Sequence, residues 1–532
     1  MGHPRGQAGR PRGRPVPDGR QRPAPLKALA YHQRTKHGFG GFAASPDTLD
    51  WDAQPNPFRE FAGAEKIDLD LAPLNCQSSP FSRAGLGALL HLGFGLSAWK
   101  SFGPDRWALR CNPSSGNLHP TEAYILSENF SGVADGLHHY LSRDHVLEKR
   151  RADPAHAGPA RLWIGLSSIH WREAWKYGER AFRYCQLDLG HALGALSYAA
   201  QTLGFRAKLV DGVDSAQLAR LLGLDRTEDF GAAEREDADA LVEIFASAGE
   251  PSAPAAKTGV WSGAANMLDA KPMYRWPVID DVTQATLGGS AGAENFIAQA
   301  RAPAEKITAD LILQRRSAQA FNPKHRMTPQ DFFDVLAALA PQNPPFDLWG
   351  FAPRIHPLLF VHRVEGLPQG LYALPRSAEG EALLRKNFSG DFVWRKVLGA
   401  PDSLPLYLLK EMDARGLARR LFCNQGIGGD SSFGVAMLAE FGPLVEANPW
   451  RYRQLHWEAG LIGQALYLEA ERVNLRGTGI GCYFDDETHA LFGLSGPDLQ
   501  SLYHFTVGLP YVDARLATEP AYPNKVRPER FA

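Results

Sequence analysis

The chain has 532 residues, 44% of them hydrophobic and 22% charged, the balance of a globular protein with two or more domains rather than a fibrous or disordered one. Lysine and arginine number 57 against 58 acidic residues, so no net field draws it to nucleic acid or to an anionic membrane. No apolar run reaches the roughly 18 residues a membrane span needs, so neither nucleic acid nor membrane is expected as a partner.

Residues 1–26 are rich in Arg, Pro and Gly and read as a disordered tail without an apolar signal core, which leads to an expected cytoplasmic location. A first domain is expected over residues 27–246. It holds the turn Pro113, Ser114, Ser115, Gly116, Asn117 directly before the apolar strand TEAYILS at 121–127. A flat, polar-edged ring needs hydroxyl and amide partners along its rim, and this turn supplies them, stiffened by proline and opened by glycine. It is equally an ordinary Asn- and Ser-rich turn. The stretch WKYGER follows, with Lys176 and Tyr177, and then a long apolar helix at 183–205.

The Pro-rich stretch 247–263 opens a linker and crossover segment expected to run to residue 300, and a second domain is expected over 301–532. That half begins with Gln314, Arg315, Arg316 and Ser317, whose paired guanidiniums and hydroxyl suit a phosphate dianion, although a solvated helix end has the same look. Thr328 is expected to cap the helix TPQDFFDVLAALA, and LAPQNPPFD follows it. A second long helix at 453–475 aligns with the first, setting Arg183 on Arg453, Asp188 on Glu458 and Gly190 on Gly460. This is the mark of an internal duplication. Glycine inside a helix costs about 1 kcal/mol relative to alanine, so Gly190 and Gly460 imply another backbone passing close by. After that helix, LRGTGIGCYFDD offers a loop in which Gly479, Ile480 and Gly481 expose backbone N–H groups. It neither follows a strand nor continues as GxGxxG, which disfavours a Rossmann nucleotide loop. The five cysteines, at 76, 111, 185, 423 and 482, are scattered with no CxxC, so no disulfide framework and no metal site is expected.

Together RRS, PSSGN and a glycine loop after the core helix resemble the nitroreductase-like flavoproteins, and the chain is similar to tandem members of the SagB/ThcOx-type dehydrogenase group. Segments at 31–39, 49–61, 110–124, 172–193, 362–374, 475–486 and 501–510 carry the resemblance. It implies an α+β fold of two nitroreductase-like domains, each a mixed sheet of antiparallel type flanked by helices, forming a pseudo-dimer within one chain. It implies FMN at their interface. Arg315, Arg316, Ser317, Gly479, Ile480, Gly481 and Arg515 of the second domain would hold the phosphate end, and Pro113, Ser114, Ser115 and Asn117 of the first would meet the ring. Lys176 and Tyr177 resemble a proton-abstracting Lys-Tyr pair, which desolvation would bring to a lower pKa. The mirror-image site, with Arg34, Thr35 and Lys36 and with LAPQNPPFD as its turn, looks degenerate, so one FMN per chain is expected. At FCNQGIGGD, Asn424 and Gly426 stand where the group would have histidine and aspartate.

The resemblance implies an oxidoreductase passing hydride through flavin N5, acting on a small heterocycle or a peptide-derived intermediate within a set of biosynthetic partners. Two alternatives stay open: an NAD(P)H-dependent nitro or quinone reductase, and a non-catalytic flavin-binding scaffold subunit of a modification complex.

Overall fold

The computed structural model describes residues 23–76, 78–289, 294 and 307–531. The expected tail falls almost wholly outside them. All strand ladders pair antiparallel, in two large sheets and two small ones. In the first large sheet the central strand Thr121–Glu128 lies between Gly136–Leu141 and Arg161–Ser168. Both of its faces are buried because alternate side chains enter different cores: Ala123 and Ile125 join the main core, while Tyr124 and Leu126 meet Phe61 and Trp163. The second sheet repeats this on Ile355–Val361, with Leu359 and Val361 in the main core and Leu358 and Phe360 on the opposite face.

Two helices of 22 residues run through the main core, α1 (Ala181–Thr202) and α2 (Arg451–Arg472). They cross where Gly190 meets Gly460. A Cβ on Gly190 would come 2.8 Å from the Gly460 Cα and closer still to the Trp457 carbonyl. The two interior glycines therefore let the helix backbones touch, as their spacing in the sequence suggests, and the contact joins the two halves along one shared core.

Terminal segments tie the halves a second time. Strand β1 (Leu96–Phe102) pairs with β2 (Asp105–Arg110) and, on its other edge, with Ala517–Glu519 from the end of the chain. In the opposite direction, Lys36 forms an ion pair with Asp486 at 2.6 Å and the His37 amide donates to Asp485 at 3.0 Å. Within 247–300, Val260–Trp261 extends the first sheet. The helix Pro277–Ala285 packs on α1, and the Thr283 carbonyl accepts from Arg453 at 3.2 Å. That segment is thus partly built into the first half rather than merely bridging to the second. The stretch read as a glycine loop is a strand, Arg476–Ile480, paired along its whole length with Leu499–Gly508. Its glycines are required by aromatic neighbours: a Cβ on Gly481 or Gly479 would run into the ring of Tyr184 or Tyr503.

Candidate active site: a cavity between the two halves

A cavity of about 610 Å³ opens where the two halves meet. Pro113, Ser114, Ser115, Asn117 and Tyr177 line it from the first half, and Arg315, Arg316, Ser317, Gly479, Ile480 and Gly481 from the second. Residues 200 positions apart in sequence and more thus share one wall. Two expected residues do not line it. Arg515 turns back to clasp Asp513 at 2.6 and 2.9 Å and lies over the Phe102 ring. Lys176 stands behind the turn, its Nζ 5.3 Å from the centre of the Trp51 ring.

One end of the cavity is cationic. The Arg315 side chain is buried, donates to the Cys111 and Arg110 carbonyls at 3.1 and 3.2 Å, and packs over the Tyr467 ring. Its Nη1 has no partner. Arg316 donates to Ser97 Oγ at 3.2 Å, and Ser317 shares a hydrogen bond of 2.9 Å with the Tyr467 hydroxyl. Burial, with Arg315 and Arg476 nearby, pushes the Arg316 guanidinium down to about 10, and burial with Arg316 and Arg476 lowers the Lys100 ammonium. Glu471 faces this cluster, accepting from the Arg316 amide at 3.0 Å and pairing with Arg476 at 3.3 Å. Several cations crowd against that carboxylate, so a bound anion would relieve them. Buried guanidinium groups with an orphaned N–H fit a phosphate group.

The other end is built on the turn. Gly116, Asn117 and His119 have φ of 59°, 61° and 54°, left-handed values for which glycine is the natural choice only at the first. There a Cβ would lie 2.5 Å from the Tyr177 hydroxyl. The turn's polar groups are used to hold its shape. Ser115 donates its amide to both oxygens of Asp188 at 3.0 Å and its hydroxyl to Oδ1 at 2.9 Å. Ser114 Oγ accepts from the His119 amide at 2.8 Å, and Asn117 donates to the Ala108 carbonyl at 2.8 Å.

Behind the turn two carboxyls are buried together. Burial pushes Asp188 up to about 7 against the bonds from Ser114 and Ser115. Burial and the charge of Asp188 raise Glu173 well above the usual carboxylate range, and Glu173 Oε2 is without a partner. The expected lowering of both members of the Lys-Tyr pair is therefore corrected. Burial lowers the Lys176 ammonium, because it penalises a cation. It raises the Tyr177 phenol, because the charged form of tyrosine is an anion and Glu173 and Asp188 oppose it further. Lys176 is suited to accept a proton and Tyr177 to hold one.

Several wall residues carried no recognisable signal in the sequence, among them Lys100, Arg476, Tyr184 and Tyr503. Asp188 had one: a carboxylate in the middle of an otherwise apolar helix. His191, a weak candidate from sequence, lines the cavity, bonded to Gln464 at 3.3 Å and Tyr503 at 3.1 Å, and burial pushes its imidazole down to about 3. The cysteine reading is overturned. Cys423 and Cys482 form a disulfide with Cα atoms 5.8 Å apart, a pairing made by the fold between positions whose spacing follows no motif.

The symmetry-related seam is filled. Only about 20 Å³ remains there, beside Leu209, Asp239 and Trp450, because Trp457 occupies the space and donates to Gln186 at 2.7 Å. Glu458, aligned with Asp188, accepts from the Arg354 and Ile355 amides at 3.0 and 3.3 Å and pairs with Arg376. The counterpart of the Ser115 turn is therefore the segment ending at Arg354. LAPQNPPFD lies elsewhere, where the Pro344 carbonyl and Asp347 accept from Tyr198 and Ser197. Arg34 pairs with Glu179 and Lys36 with Asp486, away from this seam.

Residues 106–233 match the family model described as "Nitroreductase family", so the chain carries a nitroreductase-family domain there. The match covers the Ser115 turn, the central strand, Lys176, Tyr177 and α1. Over 139 residues the chain is 25% identical to a protein of Methanocaldococcus jannaschii provisionally named a nitroreductase, an alignment covering 24% of this chain and 67% of the relative. A crystal structure of a protein from Anabaena variabilis, also provisionally named a nitroreductase, superposes with a TM-score of 0.67 at 23% identity. It covers 91% of this chain and 99% of its own, so the two-sheet fold recurs as a whole in that protein. Among the described residues no helix is long and apolar enough to cross a membrane.

Proposed function

We propose that the chain is an FMN-dependent oxidoreductase, a tandem pair of nitroreductase-like units with one working cofactor site at their seam. The observation that carries this reading is the convergence in one cavity of a buried guanidinium cluster from the second half and the Ser115 turn from the first. Arg315, Arg316 and Ser317, with Lys100 and Arg476, would hold the phosphate; Tyr184, Tyr503 and the strand at 479–481 would bed the ring. Bound FMN supplies a two-electron hydride carrier, chemistry that no side chain offers. The chain's own part is orientation and proton control. Tyr177, which lines the cavity, would carry a proton on its phenol at the wall, and Lys176, behind the turn with its ammonium destabilised by burial, would accept a proton passed back from the wall. Glu173 and Asp188 would hold a further proton behind the Ser114 and Ser115 hydroxyls.

In the dehydrogenase direction this suits a small heterocycle or peptide-derived intermediate, handled in the cytoplasm alongside biosynthetic partners. A second reading, an NAD(P)H-dependent nitro or quinone reductase, draws support from the same acids. Three groups that hold protons near neutrality, Tyr177, Glu173 and Asp188, are equipped to protonate a reduced product.

The test begins with FMN uptake by the purified chain, seen as a yellow colour that survives gel filtration. A chain that stays colourless with FMN added is not this enzyme; one that holds FMN but is bleached neither by NADPH nor by a substrate supports the scaffold reading. Rapid anaerobic bleaching of the bound flavin by NADPH alone would favour the reductase; bleaching only by an azoline-type substrate would favour the dehydrogenase.

A further inference from the structure

The described cysteines are of two kinds. Cys111 and Cys185 are buried, and burial raises both thiols, Cys111 to about 12. Cys76 is pushed up to about 11 and donates to the Pro73 carbonyl at 2.9 Å. Thiols held in this form are poor nucleophiles. Cys423 and Cys482 differ from all three: they are joined to each other, both are half-buried, and Cys482 lies at the cavity.

Cys482 itself forms part of the wall, next to Gly481 and Ile480, while Gln425 and Ile427, just beyond Cys423, reach the same wall. The bond therefore links two cavity-lining segments and does not staple a hydrophobic core. Cys423 and Asn424 have φ of 52° and 58°, a left-handed pair that non-glycine residues seldom adopt. Arg180 donates to the Gly481 carbonyl at 3.2 Å, and the Gln425 amide to the Cys482 carbonyl at 3.4 Å. A partly exposed disulfide on the wall of a cavity, next to a left-handed pair of residues, is placed as a labile bond rather than a structural one.

We propose that Cys423 and Cys482 are a second two-electron redox centre, drawing reducing equivalents from the cofactor in the adjoining cavity and passing them to a protein disulfide outside. This rests on the reading of the cavity as an FMN site. The exchange balances. The S–S bond takes up two electrons and two protons and opens to two thiols, as reduced flavin returns to its oxidised form. The Cys423 or Cys482 thiolate then attacks the acceptor's disulfide; the mixed disulfide is resolved by the other thiol, so that the Cys423–Cys482 bond re-forms and the acceptor leaves as a dithiol.

Anaerobic titration of the FMN-loaded chain with dithionite, followed by maleimide trapping and peptide mass analysis, tests this. The wild type is expected to take four electrons per chain, two more than the flavin alone, and to label at Cys423 and Cys482 while folded Cys111 and Cys185 stay unlabelled. Cys423→Ser, at a position off the cavity wall, is expected to keep its FMN and take two. A wild type whose flavin bleaches fully with two electrons, leaving both cysteines unlabelled, overturns the proposal and leaves the FMN reading standing. A chain that takes up no FMN overturns both. In the FMN-free chain, dithionite over the same interval is expected to label neither cysteine; equal labelling would mean that electrons do not arrive through the cofactor, and would also overturn it. Dithiothreitol gives a readout independent of the cofactor. It is expected to open the bond in the folded chain, and a bond that resists until the chain is denatured is structural, against the proposal.

Discussion

The two seams of this molecule start from the same parts and end differently. At one, Asp188 on α1 grips the Ser115 amide and a cavity of about 610 Å³ lies in front of it. At the other, Glu458 on α2 grips the Arg354 and Ile355 amides, and about 20 Å³ is left. Each helix places a carboxylate under the entry to a central strand, so the scaffold is shared. What differs is the filling. Gly479 and Gly481, beside Tyr184 and Tyr503, line the open cavity at the first seam, whereas Trp457, Leu209 and the Arg453–Asp239 ion pair at 2.8 Å close the second. Similar backbone hydrogen bonds can thus stand at both seams while side-chain volume decides which seam keeps a cavity.

Substitutions can break or sharpen that contrast. The largest effect is expected from Trp457→Ala, which empties the closed seam and should cost about 3–5 kcal/mol of stability in denaturant titration. It should not create a second FMN site, because the guanidiniums there, Arg453 and Arg376, are already paired with Asp239 and Glu458. Arg316→Ala at the open seam should weaken FMN by about 1.5–3 kcal/mol, the range for a hydrogen bond to a charged group, read as a ten- to hundredfold rise in Kd.

The buried carboxyl at the open seam should show as a pH effect. Asp188 has a folded pKa near 7, above its unfolded value, so its contribution to stability is fully present below the unfolded pKa and is lost as pH rises through 7. Wild-type stability should therefore fall over that window by on the order of 1 kcal/mol per pH unit at the steepest, and Asp188→Asn should flatten that slope. Denaturant midpoints between pH 4 and 8 check it. The smallest effect is expected from Arg34→Ala, which removes a partly exposed ion pair with Glu179. It should change stability by about 0.5 kcal/mol or less and leave FMN retention as it was.

Particular residues show how far the sequence could be read. Gly190 and Gly460 stand out in apolar helices and correctly signal a close backbone approach. RRS and PSSGN, some 200 residues apart, are brought by the structure to one cavity. Arg515 illustrates the opposite case, since its nearest carboxylate, Asp513, is two residues away and captures it. The segment 476–480 reads as a loop because glycines usually mark loops. It is a strand whose glycines are demanded by rings arriving from α1 and from Leu499–Gly508, and no local pattern reports those rings.

Composition, the paired helices and the order of motifs are properties of neighbouring residues, and these the sequence determined by itself: two similar long helices, an α+β class, a basic cluster and a polar turn. Tertiary structure alone decided which turn faces which helix, which seam stays open, that Cys423 meets Cys482, and that burial raises Tyr177 while lowering Lys176. The reason is physical. Secondary-structure and motif signals come from contacts within a few residues, whereas cavity volume, desolvation and disulfide partners depend on groups dozens to hundreds of residues apart, whose meeting is set only when the cores pack.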